Sequence, residues 1–223
     1  MTAADLEADE IIRCCLERNM PHLPVISEET YAGSQIGAGR FVLIDPLDGT
    51  KEFIQGNAEF TVNIALIERT NPVVGAVYAP AFHQLYIGGT RAYKLETKTN
   101  ECGLSFAKMR SIEVRSPSQQ GWRAVVSRSH LDAETRKWIA RHPVSDLQPS
   151  GSSLKFCVIA EGGADVYPRL SPTMEWDTAA GHAVLSAAGG SVTDLDGCPI
   201  HYGKPDFRNG NFVAWGMTPG FSQ

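Results

Sequence analysis

The segment 44–50 (Ile-Asp-Pro-Leu-Asp-Gly-Thr) constrains the fold of this chain more than any other part of its sequence. The apolar run from Phe41 predicts a buried strand, and two carboxylates three residues apart, Asp45 and Asp48, follow it directly. The proline fixes the turn between the acids, and Gly49 permits a tight backbone after them. Because both carboxylates leave one strand end, they can point at one hard cation such as Mg²⁺. The alternative is an Asp-rich turn with solvated carboxylates.

Two further acidic segments favour the metal-site interpretation. Glu28 follows the predicted strand 22–26, and Asp177 stands at the start of an Ala/Gly-rich predicted helix, 177–188. Taken singly, each has a plain structural explanation, because strand-end glutamates are usually solvated and an Asp N-cap stabilises a helix by about 1 kcal/mol. Taken together, the acids, a hydroxyl and a helix N-terminus are the components of a two- or three-metal phosphoryl-transfer site.

The remaining sequence predicts an α+β half followed by an α/β half. Thr2 and Asp5 mark the start of a helix over 2–20. Further strands are predicted at 41–44, 60–68, 72–79, 85–87, 92–95, 122–126, 164–167 and 210–215, and further helices at 132–140 and 152–160. The composition changes near 115–121, which predicts an N-terminal half (1–115) with most metal ligands and a C-terminal half (116–223) with Asp177 and the substrate-selecting residues.

Charge and composition exclude several classes of protein. The chain has 25 Asp and Glu against 20 Lys and Arg, a net charge of −5, which argues against a protein that coats nucleic acid or a membrane, because such a protein needs a basic face. No apolar run approaches the roughly 18 residues of a transmembrane helix, and the acidic start is unlike a signal peptide. The five cysteines form no C-x-x-C pair, which favours reduced, mostly buried thiols in a cytoplasmic protein over a zinc site.

These motifs resemble those of the lithium-sensitive, magnesium-dependent phosphatases related to inositol monophosphatase and fructose-1,6-bisphosphatase. The resemblance rests on 45–50 and on 176–181 (Trp-Asp-Thr-Ala-Ala-Gly). Within this superfamily the chain is most similar to the bacterial 3′(2′),5′-bisphosphate nucleotidases, through 45–67, 126–130 and 151–157 (Gly-Ser-Ser-Leu-Lys-Phe-Cys). Inositol monophosphatases usually have Thr-Asn-Phe where this chain has Lys-Glu-Phe at 51–53. The resemblance implies a layered αβαβα sandwich.

The resemblance also implies a set of site residues. The implied ligands of two or three Mg²⁺ ions are Glu28, Asp45, the Leu47 carbonyl, Asp48 and Asp177. The implied catalytic residues are Asp5, Thr50 and Asp48, of which Asp5 and Thr50 orient the attacking water. The implied substrate-binding residues are Glu28, Leu47, Asp48, Gly49, Thr50, His130, Ser152, Lys155, Arg169 and Asp177.

Three of these substrate-binding residues also have structural explanations. Lys155 and Arg169 supply the cations that a 5′-phosphate needs. Without the resemblance, Lys155 would be a helix lysine with its stem on apolar surface and Arg169 a surface ion pair. His130 would cap the helix that follows it.

The predicted reaction is hydrolysis of the 3′-phosphate of adenosine 3′,5′-bisphosphate to AMP and phosphate by a metal-activated water. The alternatives are an inositol monophosphatase or a fructose-1,6-bisphosphatase-like sugar phosphatase and, from a different class, a non-catalytic nucleotide sensor. The partner is then a small nucleotide bisphosphate, without nucleic acid. The resemblance leaves open a monomer or a homodimer. It implies a cytoplasmic enzyme, and leaves peripheral attachment to the cytoplasmic side of the inner membrane open.

The beginning of the sequence departs from the family pattern. Family members carry roughly forty further residues before the Thr-x-x-Asp segment at 2–5, and their absence predicts an exposed apolar stripe where a further helix would pack. We expect a translation start placed too late, at a valine codon read as an initiator.

Overall fold

A seven-stranded sheet is built from the first half of the chain in a computed structural model that describes residues 2–33, 39–97, 108–128 and 131–217. Strand β1 runs parallel to β2, and each later strand is antiparallel to its predecessor. In sheet order the strands are β1 (Val25–Ser27), β2 (Arg40–Asp48), β3 (Thr61–Glu68), β4 (Asn71–Ala79), β5 (Gln84–Gly88), β6 (Ala92–Glu96) and β7 (Met109–Ile112). A short helix, α2 (Thr50–Ile54), follows β2, and a 3₁₀ turn (Pro80–Phe82) follows β4.

Helices cover this sheet on both faces. On one face, α1 (Ala3–Asn19) packs Ile12 and Leu16 against Val42 and Ile44 of β2. On the other face, α5 (Ala179–Ala187) crosses β3, β4 and β5. Its backbone approaches so closely that a Cβ on Gly75 would overlap the Ala180 carbonyl. The acidic ends of β1 and β2 thereby lie near the start of α5.

A second, five-stranded sheet forms the other half of the core. Its order is β12–β14–β10–β8–β9, with β10, β8 and β9 mutually parallel and β14 antiparallel to both β10 and β12. The bounds are β8 (Trp122–Ser127), β9 (Val144–Ser150), β10 (Val166–Arg169), β12 (Ser191–Thr193) and β14 (Phe212–Trp215). A separate pair joins β11 (Thr173–Met174) to β13 (Arg208–Asn209).

The helices complete five layers. Helix α4 (Leu154–Ala160) lies with α5 between the two sheets, and its Phe156 packs against Tyr167 and Phe212 of the second sheet. Helix α3 (Ala133–Ala140) lies on the outer face, where Trp138 contacts Trp215. The order α1, first sheet, α4 with α5, second sheet, α3 confirms the predicted layered αβαβα fold. The division near residues 115 and 116 remains a prediction.

The helix predicted around 152–160 is confirmed as α4, and it begins at Leu154 because Ser152 adopts a φ of 47°, in the left-handed region. The expectation about the cysteines was wrong. The thiols are not mostly buried among the described cysteines, since Cys157 is buried whereas Cys14, Cys15 and Cys198 are exposed. These four are free thiols, and Cys102 lies outside the described residues. Across the described part of the chain, no helix has the length and apolar character needed to span a membrane.

Candidate metal and phosphate site

Parallel pairing of β1 and β2 brings acidic residues together at one edge of the first sheet. Ser27 pairs with Ile44, and the Glu28 amide donates to the Ile44 carbonyl at 3.2 Å, which places Glu28 next to Asp45. Asp177 reaches the same point from the loop before α5. One carboxylate oxygen from each of Glu28, Asp45 and Asp177 lies within 4.8 Å of the other two. Three acids from separate elements therefore converge on one point, as a hard divalent cation requires.

Asp177 is positioned by its own loop rather than serving as a helix cap. Its Oδ2 accepts the Met174 amide at 2.8 Å, and the N-cap of α5 is Thr178. The capping role considered for Asp177 is therefore wrong, and one carboxylate oxygen is left to face the acidic cluster.

Asp48 lies at the end of β2, beyond a bulge that interrupts the pairing of β2 with β3 after Asp45. Its Oδ2 lies 3.0 Å from the Ser153 hydroxyl and 3.4 Å from the Asn63 amide nitrogen. The Ser153 hydroxyl also lies 3.0 Å from the Asp177 carbonyl. Ser153 thus connects two of the acids implied as metal ligands.

Thr50 connects the end of β2 to the first helix. Its hydroxyl lies 3.2 Å from both Oδ1 of Asp5 and the Leu47 carbonyl. Asp5 is almost fully buried, and its other carboxylate oxygen accepts the Thr2 amide. Burial raises the pKa of Asp5, but hydrogen bonds from Thr2 and Thr50 outweigh burial and hold that pKa below its ordinary value. Asp5 is therefore an ionised acceptor next to Thr50.

The clustered acids repel one another when they are ionised. Burial, followed by the charge of Asp48, raises the pKa of Asp45 and brings that of Asp177 to about 8. Partial burial of its carboxylate and the charges of Glu29 and Asp48 raise the pKa of Glu28 to about 7. Burial also raises the pKa of Asp48, although the Lys155 ammonium and the Ser153 hydroxyl oppose it. A bound cation would relieve this repulsion, so the donor set fits a divalent metal.

A pocket of about 300 Å³ opens beside these acids. It is lined by Asp48, Gly49, Thr50 and Asp177 and by three of the predicted substrate-binding residues, Ser152, Lys155 and Arg169. Gly49 has a φ of 91°, and a Cβ there would overlap the Ser152 hydroxyl, so only glycine fits at this wall. His130 lies outside the described residues.

Lys155 is a buried cation of the pocket wall rather than a lysine that extends into solvent. It is 6% exposed, donates to the Ser152 carbonyl at 2.6 Å, and lies 5.3 Å from the ring centre of Tyr167. Burial lowers the pKa of Lys155 to about 8, against the opposing charge of Asp48. Arg169 is half-buried and donates Nε–H to the Ser171 carbonyl at 3.3 Å, and it forms no ion pair with a carboxylate of the described residues, which argues against the surface ion pair considered for it.

Sequence reasoning missed several residues that hold this site in place. Ser153 had no predicted role and was only part of the segment 151–157 that resembles the nucleotidases. Its hydroxyl nevertheless contacts both Asp48 and Asp177. The carboxylate of Glu59 accepts two hydrogen bonds from Arg128 and one from Gly151. Contacts between residues this distant in sequence produce no recognisable spacing pattern. Glu59 was included only as part of the segment 45–67 that resembles the nucleotidases.

The comparison with family models decides the classification. The model described as the inositol monophosphatase family matches residues 1–220. The chain belongs to the inositol monophosphatase family. Within that family, it is 44% identical to the 3′(2′),5′-bisphosphate nucleotidase CysQ of Escherichia coli K12, over 95% of this chain and 83% of that protein. A CysQ from Aggregatibacter actinomycetemcomitans is 32% identical over 99% of this chain and 81% of that protein.

Solved structures give the same family assignment. CysQ from Bacteroides thetaiotaomicron, described as a bacterial member of the inositol monophosphatase family, superposes with a TM-score of 0.83 at 40% identity. The match covers 96% of this chain and 84% of that one. An IMPase from Thermotoga maritima superposes with a TM-score of 0.75 at 26% identity, over 96% of this chain and 78% of that one.

Proposed function

We propose that this chain is a magnesium-dependent phosphatase that hydrolyses the 3′-phosphate of adenosine 3′,5′-bisphosphate to AMP and phosphate. One observation carries the proposal: the carboxylates of Glu28, Asp45 and Asp177 converge beside a pocket that also contains Lys155 and Arg169. The three carboxylates suit a metal ion, and the two cationic side chains suit the phosphate that is not hydrolysed. The similarity to the CysQ nucleotidases supports this choice of substrate.

Magnesium fits the donors of the acidic cluster, which are all oxygens. The proposed ligands are Glu28, Asp45, the Leu47 carbonyl, Asp48 and Asp177, for two or three ions. When bound, Mg²⁺ supplies positive charge that neutralises the carboxylates and the reacting phosphate and makes nearby water more acidic. In this arrangement the carboxylates fix position and charge, and they take no part in proton transfer.

Proton transfer is assigned to Thr50 and Asp5. The Thr50 hydroxyl accepts a hydrogen bond from the attacking water while it donates its own proton to Oδ1 of Asp5, 3.2 Å away. Hydrogen bonds hold the pKa of Asp5 below its ordinary value, so Asp5 is ionised at neutral pH and its carboxylate can accept the proton. The pair orients the water and takes its proton as the water oxygen bonds to phosphorus. The bond from phosphorus to the ribose O3′ breaks in the same displacement, and the departing O3′ takes a proton from solvent.

Substrate selection is assigned to the pocket wall from the C-terminal half. Ser152, Lys155 and Arg169 bind the 5′-phosphate, while Gly49 and Thr50 lie at the 3′-phosphate. Lys155 is suited to bind rather than to transfer a proton, because its contacts with Ser152 and Tyr167 hold the ammonium in place. His130 completes the proposed set. Lithium inhibition and cytoplasmic location, with or without peripheral membrane attachment, are further predictions from the resemblance.

The alternatives make different demands on the same site. An inositol monophosphatase would use the acids in the same way but would not need Lys155 and Arg169 for a second phosphate, whereas a fructose-1,6-bisphosphatase would need cations for its second phosphate too. A non-catalytic nucleotide sensor would not need Asp5 and Thr50 in contact. The contact between Asp5 and Thr50 favours an enzyme over the sensor, and the similarity to the CysQ nucleotidases favours the nucleotide over a sugar bisphosphate.

Release of phosphate from adenosine 3′,5′-bisphosphate in the presence of Mg²⁺ tests the proposal. The wild-type protein should turn over, whereas Asp48→Asn should lose at least about 10³-fold in kcat and keep the wild-type circular dichroism spectrum. Turnover by Asp48→Asn at the wild-type rate would remove the metal assignment. Tight nucleotide binding by the wild-type protein without any turnover would favour the sensor.

A further inference from the structure

The carboxylate of Glu59, between α2 and β3, is held by residues from the other half of the chain. Arg128, directly after β8, donates Nε–H to Oε2 and Nη2–H to Oε1, each at 2.8 Å. The Gly151 amide donates to Oε2 at 2.8 Å. The Glu59 side chain is 17% exposed. A bidentate contact of this kind fixes the relative orientation of the two side chains as well as the distance between them.

The backbone of Glu59 holds the same turn from a second direction. Its carbonyl lies 2.9 Å from the Ser152 hydroxyl, which also lies 2.8 Å from the Asp48 carbonyl. A Cβ on Gly151 would lie 2.7 Å from the Glu59 carbonyl oxygen. Ser152 has a φ of 47°, which costs a non-glycine residue conformational energy. Contacts to Glu59, together with those to Asp48 and Lys155, and not intrinsic preference, therefore keep the turn in place.

This turn carries part of the pocket wall. Gly151, Ser152 and Lys155 all line the pocket, and the Lys155 ammonium donates to the Ser152 carbonyl at 2.6 Å. A shift of the turn would move both the Ser152 hydroxyl and the Lys155 ammonium. Glu59 and Arg128 do not line the pocket themselves.

We infer that Glu59 and Arg128 form a positioning pair that sets the pocket wall for the second phosphate of a nucleoside bisphosphate, an inference that rests on the proposed function. The pair acts through the turn at Gly151 and Ser152 and touches no reacting atom. A nucleoside 3′-monophosphate has no 5′-phosphate, so its binding does not depend on this part of the pocket wall. The pair therefore affects the choice between substrates more than the chemical step.

Two variants and two substrates test the inference. Glu59→Gln keeps the size of the side chain but cannot accept all three hydrogen bonds. Arg128→Lys keeps the positive charge but cannot form the bidentate contact. Each should raise KM for adenosine 3′,5′-bisphosphate about tenfold, with KM for adenosine 3′-monophosphate and both kcat values within about threefold of wild type. The double variant should be no worse than the more severe single variant, because both remove one interaction.

Glu161→Gln is the matched control. Glu161 follows the opposite end of α4, is 21% exposed, and accepts Lys94 Nζ and Arg110 Nη2 at 2.8 Å each. The Glu161→Gln variant should lower thermal stability as much as Glu59→Gln does. It should not change the ratio of KM for adenosine 3′,5′-bisphosphate to KM for adenosine 3′-monophosphate. Equal KM changes for both substrates in Glu59→Gln, or the same shift in Glu161→Gln, would overturn the inference.

Hydrogen exchange tests the same pair without any substrate. Amides in a peptide over 150–156 should exchange faster in Glu59→Gln than in wild type and Glu161→Gln, because the turn loses its anchor. Unchanged exchange there overturns the inference even if the wild-type enzyme prefers the bisphosphate. A wild-type enzyme that does not prefer the bisphosphate to the monophosphate overturns the proposed substrate instead.

Discussion

The hydroxyl of Thr50 lies 3.2 Å from Oδ1 of Asp5, a contact between the first turn of α1 and the residue that starts α2. The two residues are 45 positions apart in sequence. The packing of α1 on β2 therefore does more than cover apolar surface: it delivers the carboxylate that completes the proposed water-orienting pair.

Asp5→Asn should remove the proton acceptor and keep the shape of the side chain. We expect kcat to fall by about 10² to 10⁴, with KM and the Mg²⁺ requirement nearly unchanged. Steady-state kinetics at saturating Mg²⁺ measure this. Asp9→Asn is the control, since Asp9 is another buried acid one turn further along α1 and has no proposed role. A wild-type kcat in Asp5→Asn would refute the assigned role of Asp5.

Ser153→Ala should weaken metal binding without removing a metal ligand. The hydroxyl orients Asp48 and the Asp177 loop, and the loss of such supporting hydrogen bonds typically costs 10- to 100-fold in metal affinity. The Mg²⁺ concentration for half-maximal activity should therefore rise at least about tenfold. Ser150→Ala, at a buried serine outside the pocket lining, should leave it unchanged. The same Mg²⁺ requirement in Ser153→Ala and wild type would contradict this account.

Lys155→Met should separate phosphate recognition from chemistry. Methionine keeps the apolar stem on Tyr167 and removes the ammonium. KM for adenosine 3′,5′-bisphosphate should rise at least about tenfold, and KM for inositol 1-phosphate by about twofold or less. If both rise equally, Lys155 does not recognise the second phosphate.

The metal-free protein should lose stability as the pH rises. Glu28 and Asp177 have folded-state pKa values of about 7 and about 8, against ordinary values of 4.5 and 3.8. The folded state therefore binds more protons than the unfolded state from about pH 4 to about pH 8, and its free energy of unfolding falls across that range.

Thermal unfolding measured in EDTA and in Mg²⁺ tests whether the free energy of unfolding falls as the pH rises. The melting temperature in EDTA should fall between about pH 5.5 and about pH 8, and the increase on adding Mg²⁺ should be larger at the higher pH, where the cation no longer displaces protons. An equal increase at both pH values would show that Mg²⁺ does not bind at these acids.

Much of the fold could be predicted because its strands carry a regular burial pattern. In β3, buried and half-buried residues alternate from Thr61 to Glu68, and the apolar run from Phe41 marks β2. The edge strand β9 (Val144–Ser150) escaped prediction, because most of its residues are exposed and Pro149 interrupts the pattern. The short helix α2 escaped too, since five residues carry no helical period.

The site was predictable where its residues lie in short motifs. Asp45, Asp48 and Thr50 lie within one segment, and strand pairing explains why Glu28 joins them. The supporting contacts of Ser153 and Glu59 were not predictable, because they depend on where α4 begins and on a left-handed Ser152. Such contacts arise from the packing of the two halves and leave no local pattern in the sequence.

The most direct test of the central claim compares phosphate release from three substrates in Mg²⁺. These are adenosine 3′,5′-bisphosphate, inositol 1-phosphate and fructose 1,6-bisphosphate. We predict that kcat/KM for the nucleotide exceeds kcat/KM for each of the other two substrates by 10²-fold or more, about 2.7 kcal/mol of transition-state discrimination. A higher kcat/KM for the inositol or sugar phosphate would contradict it and leave Lys155 and Arg169 without their proposed role.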